Sequence, residues 1–225
     1  MYNVKDIKKK ELGDIQMNEK IKDILEWIYC IIIALVLALL FRYYVATPTI
    51  VQQRSMFPTL KHNERLILDR TFRITNKKPQ IGDIVTFEAP SRSYEKYNAD
   101  QTNPVAIYDN EPTNIFNKFL YYCIERTKIS YIKRVIALEG DHVKIENNTV
   151  YVNGIPQEEK YLSEDVVTES SVFYDFIVPE GYFFAMGDNR TKSKDCREIG
   201  CIPFEKLEGI VCFRFWPFSE FGKID

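Results

Sequence analysis

The sequence predicts a mainly β domain behind one N-terminal transmembrane helix, with a small helix-bearing insertion. Three observations lead there. Trp27 to Phe41 (WIYCIIIALVLALLF) is an uncharged apolar run of 15 residues. Beyond it, short runs rich in β-branched and aromatic residues recur between turn residues, the pattern of strands. Between two of those runs, one stretch places its apolar residues at helical spacing instead.

In chain order, residues 1–26 are polar and mixed in charge, with Lys5, Lys8, Lys9, Lys10, Lys20 and Lys22. They read as a disordered or weakly helical tail. The apolar run alone would rise roughly 22 Å as a helix, short of a hydrocarbon core of about 30 Å. It lengthens if Arg42 snorkels and Trp27, Tyr43 and Tyr44 lie in the interfaces. A cleaved secretion signal has a similar apolar region, but the cleavage candidate ending at Ala46 has Tyr44 where a small residue is needed. Residues 27–46 are therefore expected to be a retained single-pass anchor. Six lysines precede the run, against Arg42 and Arg54 soon after it, which puts residues 1–26 on the cytoplasmic side and 47–225 on the outer face. Pro48 should stop the helix.

The expected strands are Ile81 to Phe87, Ser130 to Leu138, His142 to Ile145, Thr149 to Val152, Val172 to Val178, Tyr182 to Met186 and Gly209 to Phe215. Asn147 and Asn148 suit the positive φ of a hairpin turn, within a hairpin region of about 142–183. In VCFRFWPF, alternation puts Val211, Phe213 and Phe215 on a core face, with Trp216 and Phe218 candidates for lipid contact. The insertion spans about 89–129. Its helix aligns Ile115, Phe116, Phe119, Leu120 and Cys123, a face expected to pack on the β core, with a lid or membrane-surface contact as the alternative.

Composition excludes several functions. With 30 basic and 32 acidic residues the net charge is -2, without the basic footprint of a nucleic-acid binder. Five cysteines without CxxC spacing or nearby histidines give no zinc motif, so neither metal nor cofactor is expected. Cys196 and Cys201 are close enough in sequence to cross-link, yet cysteine is also a common buried apolar residue.

The candidate chemistry begins with Ser55 in RSMFPTL, just after the anchor. At most about 50 Å of extended chain separates it from Phe41, so it works near the membrane. A serine hydroxyl needs a base to take its proton. Histidine is scarce: His62 and His142 read as solvated or turn residues. Lys133, inside the β-like run YIKRVIALEGD, is the candidate base, provided burial lowers its pKa.

The order of anchor, SMFPTL, GDIVTF, YIKRVIALEGD, AMGDNRTKSKDCR and FRFWPFSEFG closely resembles bacterial type I signal peptidases over nearly the whole chain. The resemblance implies a mainly β catalytic domain with a signal-peptidase-like fold. It implies a Ser55 nucleophile and a Lys133 general base that together cleave signal peptides from secreted preproteins after small-x-small motifs. No cofactor is implied. Ser193 matches the serine that hydrogen-bonds the lysine amine, and Asp195, Arg197 and Arg134 match a charged cluster behind the site. Val51, Met56, Leu60, Tyr131 and Ile132 match the lining of shallow pockets for small side chains. The sequence departs from the family pattern just before the nucleophile: Gln53 stands where a serine often supports the oxyanion, Arg54 where a small residue is usual, and Cys196 replaces a common serine. Gln53 is the substitute oxyanion donor. A narrow-specificity paralogue and a non-catalytic membrane-anchored assembly factor remain the alternatives.

Overall fold

The computed structural model describes residues 4–94, 99–109, 112–125, 128–163 and 166–224, with side chains from residue 20 onward other than those of 119, 123 and 124. Two compact units divide at residue 42. In the first, a single helix α1 runs Val4–Tyr44, so the tail is helical rather than irregular. Its stretch Lys20–Tyr44, 25 residues, is long and apolar enough to cross a membrane. At 1.5 Å per residue it measures roughly 37 Å, which removes the shortfall of the uncharged run alone. Most of its apolar side chains from Ile21 to Phe41 are exposed, the pattern of a helix that faces lipid.

In the second unit the strands are β1 Ala46–Ile50, β2 Arg65–Asp69, β3 Ile84–Glu88, β4 Ser130–Leu138, β5 His142–Glu146, β6 Thr149–Val152, β7 Ile155–Pro156, β8 Asp175–Ile177, β9 Tyr182–Met186, β10 Ile202–Pro203 and β11 Leu207–Trp216. One antiparallel sheet has the order β1-β2-β11-β3-β4-β9-β10, the other β7-β6-β5-β8. The helix ends at Tyr44, four residues before Pro48, which instead sits inside β1 opposite Ile67. It is tolerated there because β1 is an edge strand and needs no second row of donors. Asn147 and Asn148 take φ of 50° and 62°, closing the β5-β6 hairpin as their residue type suggests.

The larger core fills the space around β3, β4, β9 and the second sheet, with Phe87, Phe173, Phe183 and Phe184 at its centre. A smaller one of Val51, Met56, Leu60, Leu66 and Ile84 lies under the Ser55 segment. Two elements differ from expectation. The β11-β2 register shifts at two places, between Val211 and Phe213 and between Arg214 and Trp216. Val211, Phe213 and Phe215 are consequently only half-buried, while Trp216, Phe218 and Phe221 are exposed. The insertion helix is short: Ile115–Phe119 continues into a π turn, Leu120–Ile124. Ile115 and Phe116 do not pack on the core, being 86% and 64% exposed. The side chains of Phe119 and Cys123 lie outside the described residues.

Candidate active site

Ser55 and Lys133, 78 positions apart in the chain, meet: the Lys133 Nζ donates to Ser55 Oγ at 2.7 Å and to the Ile132 carbonyl at 3.0 Å. Lys133 lies opposite Val85 in the β3-β4 register, so its backbone is fixed on the paired side. Its side chain is buried, with 1% of the residue exposed. Burial is the main reason its pKa falls to about 8; the Asp195 carboxylate pulls the other way.

Ser55 sits on a tight segment. Phe57 N–H bonds the Arg54 carbonyl and Leu60 N–H the Met56 carbonyl. Met56 and Leu60 are 0% exposed and belong, with Val51 at 2%, to the smaller core. Opposite them runs the turn Gly187 to Arg190. Asn189 N–H donates to the Ser55 carbonyl at 3.0 Å and its side-chain amide to the Arg54 carbonyl at 3.1 Å. Gly187 approaches so closely that a Cβ there would lie 2.1 Å from Ser193 Oγ and 2.4 Å from the Ser55 carbonyl oxygen. Only glycine fits.

The charged residues behind the pair form two separate clamps on that turn. Asp195, fully buried, accepts from the Gly187 N–H at 3.0 Å and from Arg197 Nε and Nη2 at 2.9 and 3.0 Å. Burial alone would raise its pKa, but Arg197 and the Gly187 N–H hold it below the ordinary carboxylate value. Arg134 does not join this pair. It binds Asp188 through Nε and Nη2, at 3.1 and 2.9 Å, and Asp188 also accepts from Thr59 Oγ1 at 2.5 Å. Asp188, to which the sequence reading assigned no role, thus ties the serine segment, β4 and the turn together. The signal available was its place directly after Gly187 in GDNR.

Ser193 departs from expectation. Its Oγ is buried but has no hydrogen-bond partner, so the contact to the Lys133 amine is not made. Cys196 and Cys201 are both free and buried, and burial pushes both thiols up, away from reactivity. His62 binds the Gln52 carbonyl and His142 pairs with Asp175 in the second sheet; neither contacts Ser55.

Beside the pair lies a cleft of about 320 Å³ between residues 49–53 and 128–132, with Thr86 at its base. Val51, Tyr131 and Ile132 line it, as expected; so does Gln53, exposed and without a hydrogen bond among the described residues. β9 pairs with β4 only from Arg134 to Leu138. The half Ser130 to Lys133 therefore has β3 on one side and, among the described residues, no strand on the other.

A buried hydroxyl held by a buried amine of lowered pKa, next in sequence to residues that line a cleft, is the arrangement a serine hydrolase of the Ser/Lys kind requires. Its β scaffold is tied in sequence to a helix able to cross a membrane. The model of the family described as signal peptidase, peptidase S26, matches residues 24–216, and the chain belongs to that family. A signal peptidase I of Bacillus licheniformis is 35% identical over 214 residues, 92% of this chain and 96% of that protein. A signal peptidase IB of Staphylococcus aureus (strain COL) is 32% identical over 215 residues, 89% and 93% of the two chains. A solved signal peptidase I from Enterococcus faecalis V583 aligns at 26% identity over 60% of this chain and 97% of its own. Its TM-score is 0.37, so the fold argument rests on the sheets themselves and on family membership.

Proposed function

We propose that this chain is a membrane-anchored signal peptidase I that removes signal peptides from exported preproteins, cutting after small-x-small motifs through a Ser55/Lys133 acyl-enzyme. The observation that carries the reading is the 2.7 Å contact between a buried lysine and a buried serine. The Ile132 carbonyl accepts one Nζ–H, so a neutral amine can turn its lone pair to the Ser55 hydroxyl. Ser55 Oγ attacks the scissile carbonyl carbon as its proton passes to Lys133, and the resulting ammonium protonates the departing amine. Lys133 then deprotonates the water that hydrolyses the ester.

Residues 1–26 form the cytoplasmic tail, 27–46 the anchor and interface, and 47–225 the catalytic domain on the outer face. The lysine excess before the span supports that orientation. The substrate lies extended in the cleft, its backbone pairing with the free edge of Ser130 to Ile132 and its small side chains against Val51, Tyr131 and Ile132. Pockets this shallow act by exclusion. Asp195, Arg197 and Arg134 hold the turn rather than touch substrate, and Ser193, whose hydroxyl makes no hydrogen bond to Lys133, lies close against Gly187 of that turn.

The tetrahedral oxyanion needs two donors. Ser55 N–H is one, and the side-chain amide of Gln53, unbonded in the cleft wall, is the other. Gln53→Ala is expected to lower kcat by about 10²-fold with little change in KM. A KM effect alone would remove Gln53 from this role.

The pH profile tests the base. Lys133 acts only when neutral, and its pKa lies at about 8 instead of 10.5. Thus kcat/KM should be low under acidic conditions, rise with pH, and level off above about 8, where the amine has lost its proton. A profile that is flat across this range, with chemistry limiting the rate, would contradict a lysine base.

A further inference from the structure

A second cavity, of about 610 Å³, has nothing to do with the catalytic pair. Its wall includes Tyr43 and Tyr44, the last two residues of the span Lys20–Tyr44, so its position in the chain sets it at the headgroup layer. Four cations face it, Arg73, Lys77, Lys78 and Lys128, against one carboxylate, Glu205. Two of the four are already engaged. Lys78 bonds Glu139, and Lys128 pairs with Glu208 at 2.8 Å.

Neither Arg73 nor Lys77 forms a salt bridge among the described residues, although Glu125 and Glu208 act on Arg73 electrostatically. The Arg73 guanidinium is half-buried, lies 4.3 Å from the centre of the Tyr43 ring and donates from Nη1 to the Tyr43 carbonyl. That leaves the rest of its donor fork for an anion. Burial is the main reason its pKa is lowered and Arg70 adds to it, while Tyr43, Glu125 and Glu208 pull the other way. Phe72, Tyr122 and Phe204 complete the wall with aromatic surface suited to the start of an acyl chain. Tyr122 belongs to the insertion whose Ile115 and Phe116 stand exposed.

We infer that this cavity is a binding site for the phosphodiester of an anionic phospholipid, held by Arg73 and Lys77 with its glycerol and first acyl carbons against the aromatic wall. The choice of a lipid over free phosphate rests on the aromatic lining and on the tyrosines that close the span. The choice of an anionic over a zwitterionic lipid rests on the excess of cations. The inference needs the membrane span but not the cleavage reaction.

The test is native mass spectrometry of the full-length chain in detergent, titrated with dioleoyl-phosphatidylglycerol, dioleoyl-phosphatidylcholine or inorganic phosphate. Wild type is expected to retain phosphatidylglycerol in preference to phosphatidylcholine, with excess inorganic phosphate unable to displace it. The double variant Arg73→Gln, Lys77→Gln should bind phosphatidylglycerol about thirty-fold more weakly. Lys77→Gln alone, an exposed position that leaves the fold intact, should bind about five-fold more weakly. Equal retention of the two lipids, wild-type affinity in both variants, or displacement by inorganic phosphate would overturn the assignment.

Discussion

Replacing Lys133 by methionine is expected to lower kcat/KM for preprotein cleavage by about 10⁴- to 10⁶-fold, the range seen when a member of a nucleophile-base unit is removed. Methionine keeps most of the buried volume and removes only the amine, so the loss reports chemistry rather than a collapsed site. The physical reason is that, among the described residues, Lys133 is the side chain that hydrogen-bonds Ser55 Oγ. His62 and His142 are committed to Gln52 and Asp175, and the buried carboxylates Asp195 and Asp188 are engaged, the first by Arg197 and the Gly187 N–H, the second by Arg134 and Thr59. Purified wild type and variant are compared on one preprotein above pH 8, with thermal unfolding as the fold check. Activity within about ten-fold of wild type would mean that another group takes the proton.

The second large effect is expected at Gly187, which touches no substrate in the proposed mechanism. An alanine Cβ would fall 2.4 Å from the Ser55 carbonyl oxygen and 2.5 Å from Ser193 Cβ. Rotation of Ser193 Oγ relieves neither contact, because both obstacles are fixed to backbone. The turn must therefore retreat, and it is held from behind by Asp195 and beside by the Asn189 bond to the same Ser55 carbonyl. Overpacking of this kind costs about 1–3 kcal/mol of stability. A displacement of Ser55 by about 1 Å would also lower kcat by about 10²-fold. Urea unfolding and steady-state kinetics on Gly187→Ala read the two effects separately. A wild-type kcat in a stable variant would show that the close approach does not set the position of the nucleophile.

How much of this was legible in the sequence follows from what each residue type can report. The serine and the lysine could be paired across 78 positions because each sits in a run of distinctive composition. Apolar residues carry no such label. Met56 and Leu60, read as lining a substrate pocket, belong with Val51 to the smaller core, and of the three Val51 also borders the cleft. Pattern alone does not separate a residue facing a pocket from one facing the floor beneath it. β1 and β2 were missed for opposite reasons. Pro48 made β1 look like a helix stop, whereas β2 carries a short alternation, with Leu66 and Leu68 buried, between charged ends. The helical spacing of the insertion left open whether its face packs on the β core or stands at a surface, because periodicity gives the face and not its partner; Ile115 and Phe116 are exposed. Asp188 was the largest omission at the site: its function depends on Arg134 and Thr59, both more than 50 positions away.

The most direct test of the central proposal is the cleavage of a membrane-presented preprotein by purified full-length Ser55→Ala beside wild type. Wild type should cut after a small-x-small site, and the variant, folded by the same thermal transition, should yield product only at the uncatalysed background. Cleavage by the variant at the same site, within about ten-fold of the wild-type rate, would contradict the assignment of Ser55 as the nucleophile.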